Sequence, residues 1–143
     1  MEPVFDFNSI EVRQLANGNI TKIEFKKHSK SDEFMAAWNK ALDLAIEHQS
    51  HHWLMDQRNQ SIFPKDQQWV EKEWFPKTLE HLPLDPKRPR YVALVQSKNF
   101  FVDFSAKKFI EQNSFPGFEV NIFSEVADAE AWLRDAAKLK QAS

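Results

Sequence analysis

The chain contains only two glycines, Gly18 and Gly117, and this scarcity restricts both its turns and its chemistry. Phosphate-binding loops, dinucleotide-binding turns and the strand-to-helix turn that presents a hydrolase serine each need several glycines close together, because the backbone must turn sharply or approach a ligand. Two widely separated glycines cannot build any of them. The chain also has no cysteine, which excludes disulfides, thiolate zinc sites and cysteine nucleophiles.

The length and charge of the chain indicate one domain without a general affinity for nucleic acid. A chain of 143 residues is the size of one domain, and 13 Phe and 5 Trp supply a large core. The 19 basic and 21 acidic side chains give a formal net charge of −2, which offers no attractive field for nucleic acid or an anionic membrane. We expect residues 1–143 to form a single domain.

Charged residues are scattered through the whole chain, including its first 25 positions. This pattern lacks the uninterrupted apolar core of a signal peptide, and no stretch of about 18 residues is free of charge, as a membrane-spanning helix requires. We therefore expect a cytoplasmic protein with no membrane span.

The pattern of apolar residues predicts an opening hairpin. Residues Ile10–Leu15 and Ile20–Phe25 have strand-like alternation, and the segment between them, Ala16–Asn19, contains Asn-Gly. Asn-Gly tolerates positive φ and is the strongest short signal for a hairpin. The two strands are therefore predicted to pair antiparallel.

After the hairpin, predicted helices and strands alternate. The first helix is predicted over Ser31–His48, with Ser31 or Asp32 as its N-cap and an apolar stripe at three- and four-residue spacing. The remaining predicted elements are a buried strand at His52–Asp56, a helix from Pro64 to Leu79 that Pro76 should kink or shorten, an extended connector at Leu82–Pro89, a strand covered on both faces at Tyr91–Val95, a short helix at Ser105–Gln112, a strand at Phe118–Phe123 and a last helix from Ser124, as cap, through Ala137. This order predicts an α/β fold: a single mixed sheet with an opening antiparallel hairpin followed by alternating β-α units with right-handed parallel crossovers.

Five segments of the chain together resemble the small bacterial STAS-like domains. They are Trp53–Asn59, Asp66–Val70, Glu73–Pro76, Tyr91–Val95 and Ala129–Leu133. These domains are related in fold to sporulation anti-sigma-factor antagonists and to CRAL-TRIO lipid-transfer domains. The resemblance implies a mixed α/β sheet and a non-enzymatic role in binding a partner or ligand.

The sequence departs from the phosphorylatable members of that family at one turn. Those members carry Asp-Ser-Ser-Gly or Asp-Met-Ser-x-Gly between a strand and a helix, and the serine takes the phosphate. Here the turn reads Asp56-Gln-Arg-Asn59, and the nearest hydroxyl is Ser61, several residues further on. The resemblance therefore does not imply a phosphorylation switch.

Two polar clusters follow consecutive predicted strands and form the candidate site. The first consists of Asp56, Arg58 and Asn59, and the second consists of Ser97, Lys98 and Asn99, followed by Phe100 and Phe101. Ligands of open α/β sheets bind outside the carboxyl ends of parallel strands. If the two strands are neighbours, Arg58 and Lys98 face each other and could hold an anionic group or an acidic partner. The structural alternative is that Asp56 caps or pairs with Arg58 and that Asn59 shapes a turn.

Histidines and aromatic side chains provide further candidates. His48, His51 and His52 fall at a helix end and a strand start, which does not place them on one helix face, so we expect a polar turn with mostly exposed rings and no metal site. The aromatic candidates are Trp69, Trp74, Phe75, Phe100, Phe101 and Phe104, for which core packing is the expected role and a pocket or partner surface is the alternative. Phe100 and Phe101 join the candidate site because they follow a polar loop.

These observations predict a non-catalytic binding or regulatory module that uses the Asp56–Asn59 and Ser97–Phe101 loops. It would recognise a protein partner or a small anionic ligand. The alternative is a carrier of a small apolar or lipid-like ligand with the Trp69–Phe75 helix as a gate. No spacing of a base and an orienting partner indicates an enzyme, no cofactor is implied, and a homodimer is left open.

Overall fold

Strands and helices alternate along the chain largely as the sequence predicts. The computed structural model describes residues 4–15, 20–27, 30–59, 64–85, 87, 89–96 and 117–142, and all structural statements concern these residues. In chain order the elements are β1 (Val4–Asp6), β2 (Ile10–Leu15), β3 (Ile20–Phe25), α1 (Ser31–His48), β4 (His52–Asp56), α2 (Pro64–Trp69), a π-helical segment (Val70–Trp74), α3 (Phe75–His81), β5 (Arg90–Val95), β6 (Phe118–Phe123) and α4 (Val126–Ala142). The predicted helix at 105–112 and the Asn-Gly turn lie outside the described residues.

The six strands form one mixed sheet in the order β1-β2-β3-β4-β5-β6. The first three strands pair antiparallel, and β3 through β6 pair parallel. The opening hairpin runs in register from Ile10 opposite Phe25 to Leu15 opposite Ile20. The predicted fold class is therefore confirmed. The three-residue strand β1 is an addition, since so short a segment shows no period in the sequence.

Helix α1 has the predicted bounds but a different N-cap residue. Its apolar stripe is buried, as predicted: Phe34, Trp38, Ala41, Leu42 and Ala45. The N-cap, however, is Lys30, which makes no side-chain capping bond, so the prediction of Ser31 or Asp32 as N-cap is wrong. The Ser9 hydroxyl instead donates to Glu33 Oε1 at 2.7 Å, which ties the first turn of the helix to the chain before β2.

Both faces of the central strands are buried. Along β5, Val92 and Leu94 face the core under α1 and α3, whereas Ala93 and Val95 face the smaller core under α4. Because successive side chains of a strand point to opposite faces, a strand covered on both sides is apolar throughout. This confirms the two-sided burial predicted for β5.

Trp74 lies at the centre of an aromatic cluster in the larger core. Its ring meets Trp38 and Trp53 edge-on, at centroid distances of 4.7 and 5.4 Å. Its indole N–H donates to the backbone carbonyl of Trp38 at 2.9 Å. Trp69 packs on Phe34 and Phe75 packs on Phe118, so all three aromatic residues of the second helical region contribute to the core.

The π-helical segment keeps one line of residues facing the sheet. The buried positions of this region are Asp66, Val70, Trp74 and Thr78, spaced by four residues. In an α-helix such a line rotates by about 40° at each step, because four residues exceed one turn of 3.6. The wider turn, in which the Phe75 N–H bonds to the Val70 carbonyl, offsets this rotation.

Pro76 follows the π-helical segment in the first turn of α3. A proline in a helix interior removes a backbone donor, which is why the sequence predicts a kink or an early end. The helical region instead continues to His81, so the prediction of shortening is wrong, and the interruption is the π-helical segment that precedes the proline.

Arg90 is buried at the start of β5, with 3% of its surface exposed. Its guanidinium donates to the Thr78 hydroxyl at 2.9 Å and to the backbone carbonyls of Thr78 and Leu82. Burial lowers the pKa of Arg90 to about 10, so the side chain stays charged at neutral pH. These carbonyls lie at the C-terminal end of α3, where the helix dipole favours a cation. Arg90 thus joins α3 to the sheet.

Gly117 occupies a position that requires glycine. Its φ is 89°, and an added Cβ would lie 3.2 Å from the backbone nitrogen of Asp85. Its carbonyl accepts the N–H of Arg90 at 2.8 Å. One of the two glycines therefore allows the chain before β6 to lie close to Leu84 and Asp85, which follow α3.

We expect Trp74→Ala to lower the free energy of unfolding by about 3–5 kcal/mol, because it removes the central ring of the aromatic cluster and the bond to the Trp38 carbonyl. Glu73→Ala, at the exposed neighbouring position, should change it by about 0.5 kcal/mol or less. Urea unfolding followed by tryptophan fluorescence measures both. A loss below about 1 kcal/mol for Trp74→Ala would contradict the central role of this ring.

Candidate functional site

The parallel strands β3 to β6 end at one edge of the sheet, where the first predicted cluster, Asp56, Arg58 and Asn59, lies. We call the residues that follow β4 and β5 at this edge, together with the last residue of β4, the strand-end rim; they are Asp56, Gln57, Arg58, Asn59 and Gln96. The backbone N–H of Gln57 donates to the Val95 carbonyl at 2.8 Å, and that of Gln96 donates to the Phe123 carbonyl at 2.9 Å. The strands β4 and β5 are therefore neighbours, which the sequence argument required.

Asp56 and Arg58 form a two-point ion pair on this rim. The Asp56 side chain is 2% exposed, and its two oxygens accept Arg58 Nε–H at 2.9 Å and Nη2–H at 2.8 Å. Asp56 Oδ1 also accepts the backbone N–H of Arg58 at 3.2 Å, which closes the turn after β4. The structure thus shows the structural alternative stated for these two residues, in which Asp56 pairs with Arg58. Asp56 shapes the turn through its bond to the Arg58 N–H, and the role of the exposed Asn59 in the turn stays a prediction.

The paired Arg58 still presents hydrogen-bond donors to solvent. A guanidinium has five N–H donors, and the pair with Asp56 leaves those of Nη1 and one of Nη2 unused by this carboxylate. The side chain is 42% exposed. The hydrogen bond to Asp56 raises the pKa of Arg58, the charges of Asp56, Glu24 and Glu125 add to this effect, and desolvation opposes it. Arg58 is therefore a charged donor in a fixed orientation.

Asp56 is the last member of a row of carboxylates that crosses four strands in register. The row consists of Asp6, Glu11, Glu24 and Asp56. Like charges directly opposite each other destabilise a sheet, so each member needs a cation. The cations are Lys26 for Asp6, Arg13 for Glu11, Lys22 for Glu24 and Arg58 for Asp56. Within the described residues no group of three or more His, Asp or Glu side chains is arranged to hold a metal ion.

The second predicted cluster lies outside the described residues. It comprises Ser97, Lys98, Asn99, Phe100 and Phe101. The proposed meeting of Arg58 and Lys98 stays a prediction. Among the described residues, the charges that act on Arg58 belong to the carboxylates of Asp56, Glu24 and Glu125.

The histidine cluster divides between surface and core. His48 is exposed and His51 is half-buried, but His52 is 8% exposed and stacks on Tyr91, with a centroid distance of 5.4 Å. The expectation of mostly exposed rings is wrong for His52. As the first residue of β4 it points, like Leu54, towards the α4 side of the sheet, where Tyr91 in turn contacts Trp132.

Sequence reasoning included Gln57 only as part of the Asp56–Asn59 loop and missed Gln96. The Gln96 side chain is buried, and its Nε2–H donates to Gln57 Oε1 at 3.4 Å. Gln96 Oε1 is buried without a hydrogen-bond partner. The signal available in the sequence was only a polar residue directly after an apolar strand, which is common wherever a strand ends.

Comparison of the chain with protein-family models, with curated proteins and with solved structures finds no match. The resemblance to STAS-like domains accordingly stays a prediction from the sequence. None of the described helices combines the length and the apolar character needed to cross a membrane.

The Asp56–Arg58 pair should show energetic coupling that an exposed pair lacks. In a double-mutant cycle with Asp56→Asn and Arg58→Ala, we expect a coupling of about 1 kcal/mol in the free energy of unfolding, because Arg58→Ala leaves a buried carboxylate with a single backbone donor. The matched control is the exposed pair of Asp6 and Lys26, for which we expect a smaller coupling. Equal coupling in the two cycles would contradict the role given to Asp56.

Proposed function

We propose that this chain is a non-catalytic binding or regulatory module that recognises a protein partner at the strand-end rim. The observation that carries the proposal is Arg58, whose guanidinium is oriented by buried Asp56 and presents its other donors to solvent. A side chain fixed before binding loses less conformational entropy when it contacts a partner, which favours recognition. The resemblance to STAS-like domains is in line with such a role.

The strand order of the sheet supports a protein partner over a small ligand. Ligand crevices of open α/β sheets form where the strand order reverses. The order of the six described strands runs from β1 to β6 without reversal, and α1 and α3 pack in the same core on one side of the sheet. The described part of the rim is therefore better suited to a surface contact than to enclosing a small molecule.

The charges near Arg58 support the same choice. A free anion that approaches Arg58 meets the carboxylates of Asp56, Glu24 and Glu125, which repel it. A protein partner gains contact area and neutral hydrogen bonds in addition to any charge interaction. Binding of a small anionic ligand would depend on Lys98. Detection of such a ligand is one outcome of the test described below.

The packing of Trp74 argues against the carrier alternative. A gate at the Trp69–Phe75 region would have to separate Trp74 from Trp38 and Trp53, and thereby break a buried hydrogen bond and two edge-to-face ring contacts. Both oxygens of Asp56 are engaged by Arg58, which leaves this carboxylate poorly placed to act as a general base. A cytoplasmic location is part of the proposal.

Photocrosslinking in the source cells tests the proposal. A photoreactive amino acid at exposed Asn59 should yield a specific protein adduct, and the same amino acid at exposed Glu80 on α3 should not. The Asn59 adduct should be lost with Arg58→Ala and reduced with Arg58→Lys, which keeps the charge but not the planar fork.

Two results would contradict the proposal. One is an equal adduct at Asn59 and Glu80, or an Asn59 adduct that Arg58→Ala leaves intact. The other is a small anion that native mass spectrometry detects on the protein from its source and that Arg58→Ala removes. This second result would replace the protein partner with a small ligand.

A further inference from the structure

The Gln96 carboxamide is the one rim group that combines burial with an unused hydrogen-bonding atom among the described residues. The side chain is 6% exposed, and Oε1 is buried without a hydrogen-bond partner. Its Nε2–H reaches only Gln57 Oε1, at the long distance of 3.4 Å. Rotating the Gln96 amide alone would bring two oxygen atoms together at that distance, and rotating both amides would pair Oε1 but leave Nε2 in its place without a partner, so one polar atom of this buried amide is unpartnered in either orientation.

A buried amide with an unpartnered polar atom destabilises the folded protein, so a role other than stability must explain its presence. A buried polar atom without a partner carries its full desolvation penalty, whereas an apolar side chain of similar size carries none. Departures of this kind are expected where a protein retains a group for function at the expense of stability. Gln96 lies directly on the strand-end rim, in contact with the residue next to Arg58.

We propose that Gln96 is a second recognition residue of the strand-end rim, and that its carboxamide pairs with the backbone N–H and C=O of an extended peptide segment of the partner. This inference rests on the proposed function. In an extended chain a residue presents its N–H and C=O to the same side, and a carboxamide offers the complementary acceptor and donor. The peptide N–H donates to Gln96 Oε1, and its C=O accepts from Gln96 Nε2.

Gln57 is the group that the peptide replaces. It is half-buried, and among the described residues the long bond to Gln96 is the one hydrogen bond of its side chain. Its backbone N–H stays bonded to Val95, so the side chain moves without disturbing the sheet. Arg58, the next residue, then presents its outward donors to a carbonyl or carboxylate of the same segment.

The substitution Gln96→Leu separates recognition from folding. It keeps the size of the side chain and removes the unpartnered oxygen, so we expect a melting temperature that is unchanged or higher. The probe for binding is a set of linear peptides selected from a phage-displayed random library on the immobilised wild-type protein. We expect Gln96→Leu and Arg58→Ala each to weaken their binding by tenfold or more. Gln68→Leu, at an exposed position on α2, should leave it unchanged.

Each other outcome overturns the inference. A marked fall in melting temperature for Gln96→Leu would assign the amide a structural role. Selected peptides that lose binding with Arg58→Ala but not with Gln96→Leu would remove Gln96 from recognition and leave the proposed function standing. A selection that gives no binder sensitive to Gln96→Leu would exclude the extended peptide as the ligand, and the crosslinking at Asn59 tests the proposed function independently.

Discussion

A carboxylate buried at the end of a central strand must be paired, and this requirement organises the strand-end rim. Asp56 ends β4, the strand whose five residues are all buried. Its charge is balanced by an arginine only two residues later, and the same oxygen that binds the guanidinium closes the backbone turn. One local interaction thus ends the strand, sets the direction of the following chain and fixes the orientation of Arg58.

The rest of the fold places this turn at an edge that a partner can reach. The aromatic cluster around Trp74 packs the second helical region against α1 and the sheet, while Arg90 joins the end of α3 to the start of β5 at the opposite edge. The π-helical segment is the adjustment that lets residues at four-residue spacing all face the sheet. Buried charge therefore occurs at both ends of the strands: carbonyl groups surround Arg90 at one end, whereas Asp56 pairs with the exposed Arg58 at the rim.

Much of the fold could be predicted from the sequence, because apolar periodicity reports directly on burial. The bounds of α1, β4 and β6 follow from periods of 3.6 and 2, and the two-sided burial of β5 follows from its unbroken apolar run. Features that depend on contacts between distant segments could not be predicted in this way. The N-cap position of Lys30, the π-helical segment and the burial of His52 are all decided by what packs against them.

The site likewise has one part that could be predicted from the sequence and another that depends on contacts between distant segments. The pairing of Asp56 with Arg58 is local and was one of the two interpretations that the sequence allowed. The row of carboxylates depends on strand register, and Gln96 becomes notable only through the loss of a partner for one buried atom. The register between β3 and β4, which α1 connects, and the missing partner of Gln96 Oε1 both depend on contacts between distant segments, so both required coordinates.

The most direct test of the account is whether Asp56 immobilises the Arg58 guanidinium in solution. Nitrogen-15 relaxation and hydrogen exchange of the Arg58 Nε–H group measure this. We expect a resolved, slowly exchanging Arg58 Nε–H that is as ordered as the backbone and that becomes mobile in Asp56→Asn. A freely rotating guanidinium in the wild-type protein, indistinguishable from that of exposed Arg134, would contradict it.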